Sequence, residues 1–170
     1  MILKDISFPS PQENILFDEV LLALAEKGGT DEILRFWESP SYFVVLGRIS
    51  KPQDDLNIAE VARHQIPVVR RSSGGGTVLQ GKGCLNYSLI LSKDKNPQLA
   101  DLKKSYQVIL QQIITAFKKL DVEAQYFPIS DIAIAHTQKK FSGNAQKRAK
   151  HFILHHGTIL YAFDLNLIER

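Results

Sequence analysis

The sequence predicts an α+β fold in which a mixed β-sheet is flanked by helices. Two long segments have the apolar period of about 3.6 residues that is typical of amphipathic helices. Short strand-like runs lie around them, without the strict strand–helix alternation of a doubly wound parallel sheet. The 170 residues contain no internal repeat, low-complexity tract or linker, so we expect a single domain over residues 1–170.

The first helix is expected to begin at Ser10. Residues 10–13 have the form of a capping box with proline at the first helical position, and Gly28 and Gly29 end the helix. Its apolar residues recur three and four positions apart, and we expect this stripe to face the core. The stripe consists of Phe17, Val20, Leu21 and Leu24.

Two further helices are expected, a long one over about residues 99–120 and a short one over about 57–65. One apolar face of the long helix carries Leu102, Tyr106, Ile109, Ile113, Phe117 and Leu120. In the short helix, Ile58, Val61 and Ala62 are expected to point inward.

Nine runs of residues have the character of strands, and we expect them to build the sheet. They cover residues 32–37, 42–47, 67–71, 76–80, 84–92, 123–127, 131–135, 139–142 and 153–163. Residues 164–170 look like the opening turn of another helix, so truncation at the C-terminus stays an open alternative; no accessory domain is expected in the chain.

Composition limits the classes of function. The net charge of +3 is too small to predict a nucleic-acid partner, although residues 138–151 carry basic residues without an acid. That segment is expected to be either a solvated face or a docking surface for an acidic carrier. With one cysteine, no secretion signal and no apolar run of about 20 residues, we expect a cytoplasmic protein without a membrane partner.

Residues 70–76, Arg-Arg-Ser-Ser-Gly-Gly-Gly, are the most informative stretch. Glycines let the backbone approach a ligand closely, and their N–H groups can converge on an anion. Arg70 and Arg71 add positive charge with planar geometry, which suits a phosphate or an activated carboxylate. The alternative is a flexible hairpin loop with exposed arginines. The stretch matches neither a Walker A loop nor the GxGxxG fingerprint.

Two other segments could contribute to chemistry. Lys140 precedes Ser142 and Gly143, and a lysine held there could neutralise charge that develops on an acyl phosphate; the alternative is a surface lysine beside a turn. His155 and His156 precede Gly157 in a predicted strand, so their side chains point to opposite faces. They make a poor metal pair by themselves, but one could face the core and the other a ligand.

Two more side chains have alternative interpretations. Asp131 lies between Ile129 and Ile132, where a carboxylate could hold Mg²⁺ or pair with a lysine, or could cap a turn at a strand end. Cys84 could be a nucleophile with His155 or His156 as its base. A small buried apolar residue is the simpler interpretation of Cys84, because no local feature indicates a depressed pKa.

Seven segments, taken in order, resemble motifs of the biotin/lipoate A/B protein ligase family, in its lipoate-protein ligase A branch. The segments cover residues 34–37, 45–48, 70–78, 86–88, 130–131, 140–145 and 155–160, which span nearly the whole chain. Each motif is weak alone, whereas RRxSGGG, KxSGxA and HHGTxL together are highly specific. The resemblance implies the fold shared by biotin and lipoate ligases, a class II synthetase-like catalytic domain.

The resemblance also implies a reaction in two steps. Lipoate or octanoate attacks the α-phosphate of ATP, and a lysine of a lipoyl-domain or glycine-cleavage-type carrier protein then takes the acyl group. ATP and Mg²⁺ would serve as co-substrate and ion, with no tightly bound cofactor. Lys140 would take the role of the family's essential lysine, with Asp131 beside it as a candidate magnesium ligand. The acyl-adenylate site would include Arg71, Ser73, Gly74, Gly75, Gly76, Asn86, Asp131, Ser142, Gly143, His156 and Gly157.

This sequence departs from the family pattern near the expected nucleotide site. Gln80 and Gly81 stand where many ligases have His-Asp, and Gly83 and Cys84 stand where they have Gly-Asn. Three hypotheses therefore stay open. They are an ATP-dependent ligase, an ATP-independent octanoyltransferase that draws on acyl carrier protein through a Cys84 thioester, and a non-catalytic module that binds an acyl-nucleotide or a carrier.

Overall fold

The structure is a computed structural model that describes residues 1–168. Its elements follow the predicted order from Pro11 onward, but the strand Ile2–Asp5 and the one-turn helix Pro52–Asp55 were not predicted. The helices are α1 (Pro11–Glu26), α2 (Pro52–Asp55), α3 (Ile58–Arg63) and α4 (Leu102–Lys118), with 3₁₀ turns at Pro97–Ala100 and Leu165–Leu167. The strands are β1 (Ile2–Asp5), β2 (Ile33–Trp37), β3 (Phe43–Leu46), β4 (Val68–Arg70), β5 (Val78–Gln80), β6 (Cys84–Ser92), β7 (Ala124–Phe127), β8 (Asp131–Ile134), β9 (Lys140–Arg148) and β10 (Phe152–Leu160).

The strands form two mixed sheets, which confirms the predicted α+β class. The larger sheet has seven strands in the order β1-β2-β6-β10-β9-β8-β7. In it β1 runs parallel to β2, and the remaining neighbours are antiparallel. The smaller sheet has three strands in the order β4-β3-β5, with one parallel and one antiparallel pair.

The two long helices cover opposite faces of the larger sheet. Ile153 and Leu154 are neighbours on β10, so their side chains point to opposite faces. Leu154 packs with Leu21 and Leu22 of α1, whereas Ile153 packs with Ile109 of α4. The sheet therefore forms the middle of three layers. No helix within residues 1–168 is long and apolar enough to cross a bilayer.

The buried face of α1 differs from the predicted stripe. Ser10 caps the helix as expected, but Val20 and Leu24 are 49% and 43% exposed. Asn14 and Asp18 are buried in their place. The cause is a buried cation on β2: Arg35 donates to Asp18 Oδ1 at 2.6 Å and to Asn14 Oδ1 at 2.7 Å. A charged group that leaves water needs such partners, and this requirement rotates the helix away from its apolar optimum.

Three smaller predictions are also wrong. No residue of α3 is buried, because the helix borders an open groove of about 680 Å³ and does not lie on packed core. At the ends of the long helix, Leu102 and Leu120 are exposed, although its central apolar residues pack inward. The strand predicted over residues 139–142 extends to Arg148, because its polar second half pairs with β10.

Candidate active site

A cleft of about 130 Å³ brings together nine of the residues that the resemblance assigned to the acyl-adenylate site and to catalysis. It lies against the glycine loop that follows β4 and against β6, β8, β9 and β10. The nine residues are Arg71, Gly75, Gly76, Asn86, Asp131, Lys140, Gly143, His156 and Gly157. Ser73, Gly74, Ser142 and Cys84 do not line it.

Arg71 holds the glycine loop in place through hydrogen bonds to the loop carbonyls. Its guanidinium is buried, and Nη2 donates to Gly74 O and to Gly76 O, at 2.8 Å in each case. Gly75 lies between these two carbonyls with φ of +86°, a conformation that favours glycine. Burial lowers the pKa of Arg71 from its usual value, although arginine remains a cation in proteins. Most hydrogen bonds of the Arg71 guanidinium are therefore made to oxygens of the glycine loop.

The backbone N–H groups of the same loop are available to a ligand. Among residues 1–168, no group accepts a hydrogen bond from the N–H of Gly74, Gly75 or Gly76. Gly75 and Gly76 border the cleft, so these donors are suited to an anion bound there. Gly47 packs against Gly75 O so closely that a side chain at position 47 would collide with it. The loop is therefore held on both sides.

Ser73 supports the cleft without lining it. Its hydroxyl is buried and accepts a hydrogen bond from Arg71 Nε at 3.0 Å. The same oxygen lies 2.6 Å from His156 Nε2. Ser73 thus connects the glycine loop to β10, and its predicted contact with the ligand stays a prediction. Ser142 behaves similarly, since it is buried and accepts from Asn144 Nδ2 at 3.3 Å.

The two adjacent histidines have opposite environments, which confirms the alternation predicted from strand geometry. His156 borders the cleft. His155 is fully buried on the other face, stacked on Tyr87 with ring centroids 6.1 Å apart. Burial lowers the pKa of each histidine to about 3. The neighbouring His156 also lowers the pKa of His155, and Arg71 also lowers the pKa of His156. Both rings are therefore neutral at physiological pH.

Lys140 and Asp131 form an ion pair at the mouth of the cleft. Lys140 Nζ lies 2.9 Å from Asp131 Oδ2, and the lysine side chain is 55% exposed. Gly143, opposite Asp131 in the β8–β9 ladder, leaves room for the pair, because a Cβ there would lie 3.2 Å from Lys140 Nζ. A half-exposed lysine paired with one carboxylate could exchange that partner for an incoming phosphate.

The magnesium role expected for Asp131 stays a prediction. Asp131 is paired with Lys140, and residues 1–168 contain no group of three His, Cys, Asp or Glu side chains that could hold a metal. A magnesium ion would therefore have to enter with the phosphates of its nucleotide, as Mg²⁺ commonly does.

Asn144 was not predicted as a site residue, although it lies within the KxSGxA segment. Its Nδ2 donates to Ser130 O at 2.7 Å, and its Oδ1 accepts from the hydroxyl of Tyr87. A side chain at Gly157 would collide with Asn144. Asn144 therefore ties the segment that precedes Asp131 to β9. Its position between Gly143 and Ala145 in a glycine-containing motif was the signal that could have identified it.

One end of the cleft is apolar. It is lined by Ile15, Trp37, Val45 and Val78. Gln80 lies beside them with Oε1 buried and without a hydrogen-bond partner among residues 1–168. The sequence indicated Trp37 and Val45 only as members of motifs, because contributions from α1, β2, β3 and β5 come together through tertiary packing. Such a lining suits an aliphatic chain with a polar head at the charged end.

The structure does not bring Cys84 to the cleft. Cys84 is fully buried at the start of β6, opposite Leu160 of β10, whereas His156 lies opposite Ser88. Four residues of strand separate the two positions, which corresponds to about 13 Å. Burial raises the pKa of the Cys84 thiol to about 12. These features are those of a packed structural cysteine.

Within the basic segment, Lys147 and Arg148 at the end of β9 have different environments. Arg148 donates to Ala100 O at 2.7 Å and to Gln146 Oε1 at 2.9 Å, so it anchors the turn before α4. Lys147 is 39% exposed and lies 3.9 Å from Glu19. Lys147 is therefore the better candidate for contact with a carrier.

The lipoyl protein ligase A/B catalytic domain family matches residues 10–170. The chain belongs to this family. The resemblance that was based on the ordered motifs is thereby confirmed. The cleft described above accordingly belongs to a lipoyl ligase-type domain.

Curated relatives fall into two named activities. The chain is 30% identical over 160 residues to a probable lipoate-protein ligase A of Mycoplasma pneumoniae, covering 94% of this chain and 45% of the relative. It is also 30% identical over 178 residues to an octanoyltransferase LipM of Halalkalibacterium halodurans, covering 91% of this chain and 63% of the relative. The chain thus spans only part of the length of these relatives.

Solved structures share the fold. A bi-partite lipoate protein ligase of Thermoplasma acidophilum, described with its E2 lipoyl domain, superposes with a TM-score of 0.87 at 23% identity, over 98% of this chain and 64% of the other. A lipoate-protein ligase A bound with ATP superposes with a TM-score of 0.85 at 23% identity, over 99% and 69%. The expected fold of a lipoate ligase catalytic domain is thereby confirmed.

Proposed function

We propose that residues 1–170 form a catalytic domain that activates lipoate or octanoate with ATP and transfers the acyl group to a lysine of a carrier domain. The observation that carries this proposal is the composition of one cleft. Free glycine N–H groups, the half-exposed cation of Lys140 and an apolar end lie along the same cavity. They correspond to the phosphate, the reacting carbonyl and the acyl tail of an acyl-adenylate.

The first step joins two anions, and the site supplies positive potential for that encounter. A carboxylate oxygen of the acid forms a bond to the α-phosphorus of ATP, and pyrophosphate leaves with its electron pair. Lys140 would leave Asp131 and neutralise charge on the phosphate, while the N–H groups of Gly75 and Gly76 bind its oxygens. Mg²⁺ would arrive as the nucleotide complex and compensate the charge of the leaving pyrophosphate.

The second step needs no nucleophile from the protein. The carrier amine attacks the carbonyl carbon, and the bond to the AMP oxygen breaks. The exposed Lys140 marks the open mouth of the cleft, where a carrier lysine could enter. A lipoyl-domain or glycine-cleavage-type carrier is the proposed partner. The description of the Thermoplasma ligase with its E2 lipoyl domain supports a lipoyl-domain partner by analogy, and the partly exposed Lys147 offers a cationic contact on the same strand as Lys140.

An octanoyltransferase is the second candidate function. The similarity to LipM proteins, at the same 30% identity as the ligase relative, supports it. Such an enzyme would take octanoate from acyl carrier protein without ATP. The buried position and raised pKa of Cys84, the single cysteine of the chain, weigh against a thioester mechanism. A binding module without turnover ranks third, because binding alone does not require a cation at the mouth.

ATP–pyrophosphate exchange tests the proposal. Exchange that depends on octanoate or lipoate is expected for the wild type and is expected to be lost in Lys140→Ala. Lys139→Ala is the matched control, because Lys139 is exposed and precedes β9. If no exchange occurs but the protein transfers octanoate from octanoyl-acyl carrier protein to the carrier domain, the octanoyltransferase function would be established. Tight binding of octanoyl-AMP with neither reaction would establish the binding module.

A further inference from the structure

The adjacent histidines of β10 are held by hydrogen bonds that assign a proton to a different ring nitrogen in each. A neutral imidazole carries one N–H, and the partner of its other nitrogen determines which tautomer is present. At both histidines the chain of hydrogen bonds begins at an arginine, which can only donate. The direction of every bond in each chain can therefore be worked out.

For His156 the chain begins at Arg71. Arg71 Nε donates to Ser73 Oγ at 3.0 Å, which uses one lone pair of the hydroxyl. The hydroxyl hydrogen then needs an acceptor, and His156 Nε2 lies 2.6 Å away. The reverse direction, with His156 as donor, would leave that buried hydrogen unsatisfied, because no other group within residues 1–168 accepts from Ser73. Ser73 therefore donates to Nε2.

The proton of His156 consequently resides on Nδ1. Burial and the nearby Arg71 keep the ring neutral, since they lower its pKa to about 3. Nδ1 has no hydrogen-bond partner among residues 1–168 and is not among the fully buried atoms that lack one. The ring borders the cleft. An available, neutral N–H donor is therefore presented to whatever occupies the cavity.

For His155 the direction is reversed. Arg148 Nη1 donates to Gln146 Oε1 at 2.9 Å, so the amide NH₂ of Gln146 points away from that arginine. Gln146 Nε2 lies 3.1 Å from His155 Nδ1 and donates to it. The proton of the neutral His155 therefore resides on Nε2, although that atom is buried and has no hydrogen-bond partner among residues 1–168, so this assignment leaves one N–H unsatisfied. The neighbouring ring provides an internal reference with the opposite assignment.

We propose that Arg71, acting through Ser73, fixes His156 as the Nδ1–H tautomer, and that this N–H donates to the acyl carbonyl oxygen in the cleft. The inference rests on the proposed function for its ligand, whereas the tautomer rests on the protein alone. His156 would polarise the carbonyl as a neutral donor, and no proton would be transferred. Ser73 is a positioning residue, because it acts through His156.

Nitrogen-15 NMR of the imidazole rings tests the tautomers in the wild-type protein. His156 is expected to show a pyrrole-type Nδ1 and a pyridine-type Nε2, and His155 the opposite pattern. In Ser73→Ala the His156 pattern is expected to become a mixture of tautomers while His155 is unchanged. A pyrrole-type Nε2 at His156 in the wild type, or an unaltered His156 in Ser73→Ala, would overturn the relay.

Two isosteric substitutions test the donor. The amide nitrogen of asparagine can replace Nδ1–H, whereas the longer glutamine places its amide near Nε2. We expect His156→Asn to bind a non-hydrolysable octanoyl-sulfamate analogue of octanoyl-AMP about tenfold more tightly than His156→Gln, the contribution of one hydrogen bond. Equal affinities, or tighter binding by His156→Gln, would contradict the donor role. If the wild type does not bind the analogue, the proposed function and the donor role fail together, and the NMR result decides the relay separately.

Discussion

Replacement of Gly75 by alanine tests whether Arg71 and the glycine loop form one rigid unit. Gly75 has φ of +86°, where alanine costs about 1–2 kcal/mol. The new Cβ would lie 2.9 Å from Arg71 Nη2, which donates to Gly74 O and Gly76 O. Displacing that nitrogen weakens hydrogen bonds from a charged group, each worth about 1.5–3 kcal/mol. We expect the free energy of unfolding to fall by about 2–4 kcal/mol.

Gly76→Ala is the matched control, because a Cβ at Gly76 meets nothing within 4 Å and its φ is not positive. Its free energy of unfolding is expected to stay within about 0.5 kcal/mol of wild type. Urea unfolding at equilibrium measures both variants, with the slope m checked for constancy. Equal losses in the two variants, or no loss in Gly75→Ala, would refute the rigid unit and leave a loop whose glycines are interchangeable.

Three further outcomes follow from the site. Lys140→Ala should remove acid-dependent exchange without changing the urea midpoint, because the side chain is half exposed; a fall in the midpoint would mean that the lysine is structural. His155 and His156 have pKa values lowered to about 3 from 6.5, so the unfolded state binds more protons between these values. Stability should therefore fall as pH drops from about 6.5 towards 3, and a flat urea midpoint from pH 7 to 4 would contradict this. Cys84→Ala should retain acyl transfer to the carrier in either assay, and a dead but folded variant would restore the thioester mechanism.

Local rules predicted the parts of the site that depend on one strand or one turn. The opposite environments of His155 and His156 follow from the alternation of side chains along a strand, and that prediction needed no partner. The pairing of Lys140 with Asp131 is different. Nine residues separate them, and a bulge in the β8–β9 ladder brings them together, so only the family resemblance placed them side by side.

Tertiary contacts explain what sequence patterns missed. The stripe on α1 was wrong because Arg35, from a strand well downstream, draws Asn14 and Asp18 inward. Ser73 was predicted to bind ligand, but Arg71 and His156 engage its hydroxyl from either side. Neither interaction has a periodic signature, since each depends on a contact with a side chain far away in the sequence, Arg35 in the first case and His156 in the second. Apolar periodicity therefore identified the elements better than it identified their buried faces.

The two cations of the cleft have different roles because their burial differs. Arg71 is buried, and its Nη2 and Nε are committed to oxygens of the glycine loop and Ser73, so it shapes the site without being free to follow a reacting group. Lys140 is half exposed and holds one carboxylate, which a phosphate could replace. Preorganised donors stabilise a transition state most effectively when they need no rearrangement. The glycine N–H groups meet that condition through Arg71, whereas in the proposed reaction Lys140 would supply a charge that follows the substrate from the first step to the second.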